Sequence, residues 1–182
     1  MARQNEATRN PRTASVLAPE FVEGLDKLGL EELRRRRDEA LAEREYQSYL
    51  RRLVQVRQDL LVAEQARRQA GEAPRPIVER LTAVLAEGPG RGKPRGEAIK
   101  VQLPEEDIEE AERQAQSIAG VLDLAIPEGM DELLLDAAIE ALRRKERAVS
   151  SDRSAVLRVH DLLQDELKRR FRQDPSLITK GR

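Results

Sequence analysis

The chain contains two long stretches in which apolar side chains recur at helical spacing and no glycine or proline interrupts the pattern. In the first, from about residue 31 to 70, the apolar positions lie alternately three and four residues apart: Tyr46, Tyr49, Leu53, Val56, Leu60 and Ala63. In the second, from about residue 131 to 172, they recur every seven residues: Leu142, Val149, Val156 and Leu163. Heptad spacing is typical of helices that pack along their length against another helix. The pattern therefore predicts two long helices, each with an apolar seam.

Polar segments are predicted to flank these helices at both ends of the chain. Residues 1–19 contain Pro11 and Pro19, which break helical patterns, and we expect them to form a disordered N-terminal tail. Residues 173–182 are expected to form a C-terminal tail. Between the tails, the sequence predicts a single helical domain over residues 20–172.

The segment between the two long helices is predicted to contain two short helices, at about 77–87 and 104–121. A basic, glycine-rich loop at 88–96 separates them, and Pro94 follows its lysine where a phosphate-binding P-loop requires Ser or Thr. We therefore interpret the loop as a linker. Asp131 is the predicted N-cap of the second long helix.

Composition favours an elongated molecule over a thick globular one. Of the 182 residues, 37% are charged and 2% are aromatic, and there is no tryptophan, so few large side chains are available to fill a wide core. The predicted fold class is all-α: an elongated antiparallel coiled coil of two long helices, with short connecting helices and a flexible N-terminal tail.

Charge and residue usage argue against several classes of function. The formal net charge is −1, so there is no basic excess to support direct DNA binding. Without cysteine and with one histidine, neither a disulfide nor a metal site is expected. His160 precedes Asp161, but adjacent residues on a helix point about 100° apart, and no nucleophile has a base at useful spacing. We expect a cytoplasmic protein that is not an enzyme and does not span a membrane.

A polar motif occurs once in each long stretch. Three residues of the first copy recur in the second at a constant offset of 102: Ser48, Arg51 and Asp59 are repeated as Ser150, Arg153 and Asp161. Steps of three and eight residues return to nearly the same side of a helix, so each copy forms a polar stripe. The first stripe lies well away from the predicted apolar seam and is expected to face solvent or a ligand.

Taken together, the two copies define the pattern Glu-x3-Ser-x2-Arg-x3-Gln-x3-Asp. Gln55 supplies the glutamine of the first copy, and Glu146 supplies the glutamate of the second. Each copy also departs from the pattern once, because Arg44 stands where the first would have glutamate and Leu157 where the second would have glutamine.

This doubled pattern resembles the signature of the RsiG family, actinobacterial anti-sigma factors that hold the sporulation sigma factor WhiG in a manner dependent on cyclic di-GMP. The resemblance extends to the segment at 28–33 and to the general plan through to about Phe171. It implies a helical fold, a cyclic di-GMP ligand bound singly or as a dimer, and a WhiG-type, flagellar-class sigma factor as the partner, with control of sporulation-type transcription. An approximate two-fold axis would relate the motifs of two antiparallel helices, and cyclic di-GMP is itself two-fold symmetric.

The residue types of the motif suit such a ligand. Arginine can donate to O6 and N7 of guanine or hold a phosphate, carboxylates can accept from the N1–H and amine of guanine, and serine suits phosphate or ribose. The implied ligand-binding residues are Ser48, Arg51, Gln55, Asp59, Glu146, Ser150, Arg153 and Asp161, with Arg44 and Leu157 at the two positions that depart from the pattern.

Two other functions fit the same sequence. The chain would be a structural coiled-coil adaptor with no nucleotide ligand if its polar stripes were only solvated helix surface. It would be a cyclic di-GMP effector of a different kind if its partner were not a sigma factor. Replacing Arg51 and Arg153 by alanine distinguishes an adaptor from a ligand-binding protein. An adaptor would keep its partner, whereas a ligand-binding protein would lose its nucleotide.

Overall fold

The computed structural model describes residues 9–73, 103–117 and 129–178, and all regular structure within them is helical. The α-helices in these ranges are α1 (Pro11–Leu17), α2 (Leu30–Gln69), α3 (Glu105–Ser117) and α4 (Glu132–Gln173). Three short 3-10 helices lie at Pro19–Phe21, Leu25–Lys27 and Pro175–Ile178. The all-α prediction and its two long helices are confirmed. The helix expected at 77–87 and the end of the one expected at 104–121 lie outside the described residues.

The ends of the long helices are set by local hydrogen bonds. Asp131 caps α4 as predicted, since its Oδ1 accepts from the backbone N–H of Leu134 at 2.7 Å. After α2, Gly71 adopts a φ of 67°, and its N–H donates to the carbonyl of Arg68 at 3.0 Å. Glycine suits this left-handed conformation because it has no Cβ.

The chain divides into two compact units, although the sequence predicted a single domain over 20–172. The first unit comprises Met1–Ser48 and Ser150–Arg182, and the second comprises Tyr49–Val149. Each unit therefore contains one segment of α2 and one segment of α4.

The first unit has an apolar core to which α1, α2 and α4 contribute. Its buried members are Val16, Phe21, Leu33, Ala40, Val156, Leu163 and Leu167. Near one end of the unit, Ser48 contacts Arg153, and near the other, Arg170 donates to the carbonyls of Leu25 and Leu28, each at 2.6 Å. Residue numbers rise along one helix as they fall along the other, so α2 and α4 are antiparallel in this unit.

In the second unit, α2 and α4 are also antiparallel. Gln65 donates to Asp136 at 2.5 Å, whereas Gln55 donates to Glu146 at 3.3 Å. Buried apolar residues on three helices form the interior of the unit: Leu50, Val54 and Leu61 of α2, Ala111 and Ala115 of α3, and Leu135, Ala138, Ile139, Leu142 and Val149 of α4.

The seam predicted for α4 is buried at all four positions, but the seam predicted for α2 is wrong by one residue. Of the six positions expected in α2, Tyr46 is buried and the others are only partly buried. The buried residues follow the expected ones directly along the helix: Gln47, Leu50, Val54, Leu61 and Glu64. The spacing of apolar residues does not reveal this buried face of α2, because two of its members, Gln47 and Glu64, are polar.

The predicted disordered tail at 1–19 is corrected over its second half, where α1 forms. Asn10 is the N-cap and accepts from the backbone N–H of Arg12 at 2.9 Å. Pro11 occupies the first turn, where the absence of an N–H leaves no intrahelical bond unmade. Thr13 and Val16 of this helix are buried. Residues 1–8 lie outside the described part of the chain.

The expected C-terminal tail at 173–182 also begins as ordered structure. Within Pro175–Ile178, the carbonyl of Leu177 accepts from Arg34 of α2 at 3.1 Å. Residues 179–182 are outside the described ranges. None of the helices described combines the length and the apolar character that crossing a membrane requires.

Candidate functional site

The motif residues of α2 flank its buried face. Ser48, Arg51 and Gln55 each directly follow a buried residue and are themselves partly exposed. The sequence placed them away from the seam, but the one-residue correction rotates that seam toward them by about 100°. The first stripe therefore reaches side chains of α4 as well as solvent.

In the first unit, one residue from each motif copy meets the other. The Nε of Arg153 donates to the Oγ of Ser48 at 3.0 Å, and that hydroxyl donates to the backbone carbonyl of Arg44 at 2.7 Å. Within the described ranges, the carboxylate of Glu45 lies at 4.0 Å from Arg44. We call Arg44, Ser48 and Arg153 the Ser48 cluster; its acceptors are neutral.

In the second unit, the carboxylate of Glu146 receives two donors from the first motif copy. The Nε of Arg51 donates to its Oε1 at 2.8 Å, and the amide of Gln55 donates to the same oxygen at 3.3 Å. We call Arg51, Gln55 and Glu146 the Glu146 cluster. Here an arginine is neutralised by an acid, unlike Arg153 in the Ser48 cluster.

Both motif arginines are held through the same nitrogen. Each uses Nε for its bond to the other motif copy, and neither Nη group of Arg51 or Arg153 hydrogen-bonds to any residue in the described ranges. The end of a guanidinium carries four of its five N–H donors. Each arginine is thus fixed at its stem, with paired donors available at its tip.

The two motif aspartates differ in their surroundings. Asp59 is partly buried, and this burial raises the pKa of its carboxyl group. It has no hydrogen bond or ion pair with any residue that the structure describes. Asp161 is 61% exposed, and its Oδ1 lies 3.2 Å from Nδ1 of His160. Neither aspartate joins the two clusters.

The remaining motif positions lie on α4. Ser150 directly follows the buried Val149 and is partly exposed. Leu157 directly follows the buried Val156 and is also partly exposed. The structure thus brings Ser48 to Arg153, and Arg51 and Gln55 to Glu146, while Asp59, Ser150, Leu157 and Asp161 lie outside these contacts.

The N-terminal segment makes a set of polar contacts that the sequence did not predict. Thr13 donates to the buried carboxylate of Glu43 at 2.6 Å, and Gln47 donates to the Thr13 hydroxyl at 2.8 Å. Arg9 forms an ion pair with Asp152 at 2.8 Å. Asparagine followed by proline is a signal for the start of a helix, and it could have identified α1.

The family model described as RsiG-like matches residues 19–85, a span that contains the first motif copy and ends before the second. No curated protein matches the chain. This match supports, over residues 19–85, the resemblance to the RsiG family, and it indicates a regulator of the anti-sigma-factor type.

Proposed function

We propose that this protein is an anti-sigma factor that binds cyclic di-GMP through its repeated motif and, with the ligand bound, sequesters a WhiG-type sigma factor from RNA polymerase. One observation supports this most directly. Motif residues 95 to 105 positions apart in the sequence hydrogen-bond to one another, Arg51 to Glu146 and Ser48 to Arg153. Solvated helix surface would not require the two copies to meet.

The arginine geometry suits guanine. The two Nη groups at the tip of a guanidinium match the O6 and N7 acceptors of guanine, and such a bidentate pair discriminates between bases by about 1–3 kcal/mol. Because Arg51 and Arg153 are fixed through Nε, less side-chain freedom is lost when the tip binds. We assign guanine or phosphate recognition to these two residues.

The other motif residues would supply acceptors and supporting contacts. The carboxylate of Asp59 is partly desolvated and has no partner among the described residues, so it suits the N1–H and exocyclic amine of guanine. Asp161 has the same place in the second copy. Ser48, Ser150, Gln55 and Glu146 complete the proposed ligand-binding set. In this proposal α2 and α4 pair as a coiled coil.

The ligand would control the partner through differential affinity. Cyclic di-GMP can promote sequestration only to the extent that it binds the complex with sigma more tightly than it binds the free protein. Linkage requires the reciprocal effect, so sigma should raise the affinity for cyclic di-GMP by the same factor. Loss of ligand would release sigma to RNA polymerase.

Isothermal titration with cyclic di-GMP tests the proposal, in the absence and in the presence of a WhiG-type sigma factor. We expect binding that is tighter with sigma present, and no binding of cyclic di-AMP. The double variant Arg51→Ala with Arg153→Ala should lose nucleotide binding. Arg143→Ala is a matched control, since Arg143 is an exposed α4 arginine whose ion-pair partner among the described residues is Glu140.

The outcomes separate the three candidate functions. An adaptor predicts no heat with cyclic di-GMP in either mixture and an unchanged partner for the double variant. An effector of a different partner predicts nucleotide binding that sigma does not alter, and the same host proteins should then be captured from a lysate only with ligand. Either result would reject the anti-sigma mechanism.

A further inference from the structure

The antiparallel contacts place α2 and α4 in one register within each unit. In the second unit, Gln55 bonds to Glu146 and Gln65 to Asp136, and the residue numbers of each pair add up to 201. In the first unit, Ser48 and Arg153 give the same total. Within each unit, the residue of α4 that lies opposite a given residue of α2 is therefore the one whose number brings the sum to 201.

This register relates the two departures from the motif to each other. The numbers of Arg44 and Leu157 also add up to 201, so these residues occupy opposing positions in the first unit. Their equivalents at the 102-residue offset are Glu146 and Gln55, which hydrogen-bond in the second unit. A complete motif would contain a Glu–Gln pair in both units; in the first, arginine and leucine replace it.

The replacement removes an acid from the Ser48 cluster and adds a cation. Arg153 forms no ion pair with any residue in 9–73, 103–117 or 129–178. The acids closest along the chain are engaged elsewhere: Asp152 pairs with Arg9, and Glu43 accepts from Thr13 and lies 3.4 Å from Arg12. Glu45 is at the distance limit of an ion pair with Arg44.

We infer that Arg44 is an additional anion-binding residue, and that Arg44, Ser48 and Arg153 of the first unit bind a phosphate of the nucleotide. The inference rests on the proposed function, and it gives the Ser48 cluster and the Glu146 cluster different roles. Arg153 donates to the Ser48 hydroxyl, and Arg44 lies one turn before Ser48 on α2, so two arginines on this side can offer charge-assisted donors to a phosphodiester. In the second unit, by contrast, the carboxylate of Glu146 that neutralises Arg51 would repel a phosphate.

Titration of Arg44→Gln with cyclic di-GMP, with sigma present, tests this assignment. We expect affinity to fall about tenfold, the effect of losing one charge-assisted hydrogen bond. The dependence of affinity on NaCl concentration should also weaken, because one fewer ion contact forms. Arg44→Glu should bind more weakly still, since it places an acid beside the phosphate.

Arg37→Gln is the matched control. Arg37 lies two helical turns before Arg44 on the same side of α2, is 29% exposed against 24% for Arg44, and also has an acid as its next residue. This control should retain wild-type affinity. Equal losses in both variants would show general attraction between charges and would overturn the assignment.

The remaining outcomes distinguish the inference from the function on which it rests. If the wild-type protein binds and Arg44→Gln binds equally well, or Arg44→Glu binds as tightly as wild type, the assignment of Arg44 is wrong and the proposed function stands. If the wild-type protein does not bind cyclic di-GMP with or without sigma, both are rejected.

Discussion

The Ser48 cluster and the Glu146 cluster contain the same motif and differ in charge. In the first, Arg153 is held by the hydroxyl of Ser48, and Arg44, whose backbone carbonyl accepts from that hydroxyl, is a second cationic residue. In the second, Glu146 neutralises Arg51 and accepts from Gln55 as well. A repeated sequence therefore does not ensure repeated electrostatics, because the residue opposite each motif position determines whether its charge is neutralised.

Replacing Glu43, a buried acid of the first unit, should have the largest effect on stability. Glu43 is fully buried and accepts from Thr13 and Gln47. Glu43→Ala would leave their donors unsatisfied, and we expect a loss of about 3 kcal/mol in the free energy of unfolding. Urea denaturation measures the loss, and hydrogen exchange should place the weakened protection in the first unit.

The matched control for that variant is Glu39→Ala. Glu39 lies one turn earlier on α2, is partly exposed and pairs with Arg35, so its loss should cost no more than about 0.5 kcal/mol. Equal effects of the two variants would show that the buried contacts of Glu43 contribute little.

Acid should lower the stability of both units, because each contains a glutamate that accepts hydrogen bonds from two arginines. Hydrogen bonds from Arg67 and Arg68 lower the pKa of Glu64 in the second unit to about 2, and those from Arg169 and Arg170 lower that of Glu166 in the first to about 2. A lowered pKa stabilises the folded state above the unfolded value of about 4.5, and this stability is lost as pH falls toward 2.

Glu64→Gln and Glu166→Gln should each remove about 2 kcal/mol at pH 6, with little further loss between pH 5 and pH 2.5 from that site. Urea denaturation at these pH values measures both effects. Variants that retain the full acid sensitivity of the wild type would show that other carboxylates cause it.

Double-mutant cycles would measure the difference between the clusters directly. Arg51 and Glu146 are partly exposed, so we expect a coupling energy of about 0.5–1 kcal/mol that decreases in 1 M NaCl. For Ser48 and Arg153 we expect a similar coupling that salt changes less, because the serine is neutral. Equal salt sensitivity would contradict the charge difference between the clusters.

The smallest expected effect on stability is a gain. Burial raises the pKa of Asp59, so its charged form costs stability at neutral pH and its protonation stabilises the fold as pH falls. Asp59→Asn should raise Tm by about 1 °C while weakening nucleotide binding. Calorimetry and titration of the same sample check both effects, and a lower Tm would reveal a stabilising partner of Asp59.

The sequence predicted the fold class, both long helices and the α4 seam because these follow from an uninterrupted heptad pattern. It misplaced the α2 seam because Gln47 and Glu64 are buried polar residues, and their burial depends on partners such as Thr13 and Arg67. It missed α1 because prolines were interpreted as helix breakers. The repeated polar motif is visible in the sequence, but contacts such as that between Ser48 and Arg153 depend on the corrected seam.

The polar contacts between the motif copies also limit axial sliding of the helices. An apolar seam that repeats every seven residues allows one helix to shift by a heptad, about 10 Å, with the same face still covered. In the first unit, such a shift would separate Ser48 from Arg153; in the second, it would separate Gln55 from Glu146. These bonds therefore select one of several shifted alignments, and a ligand that engages the motif arginines would stabilise that alignment against the others.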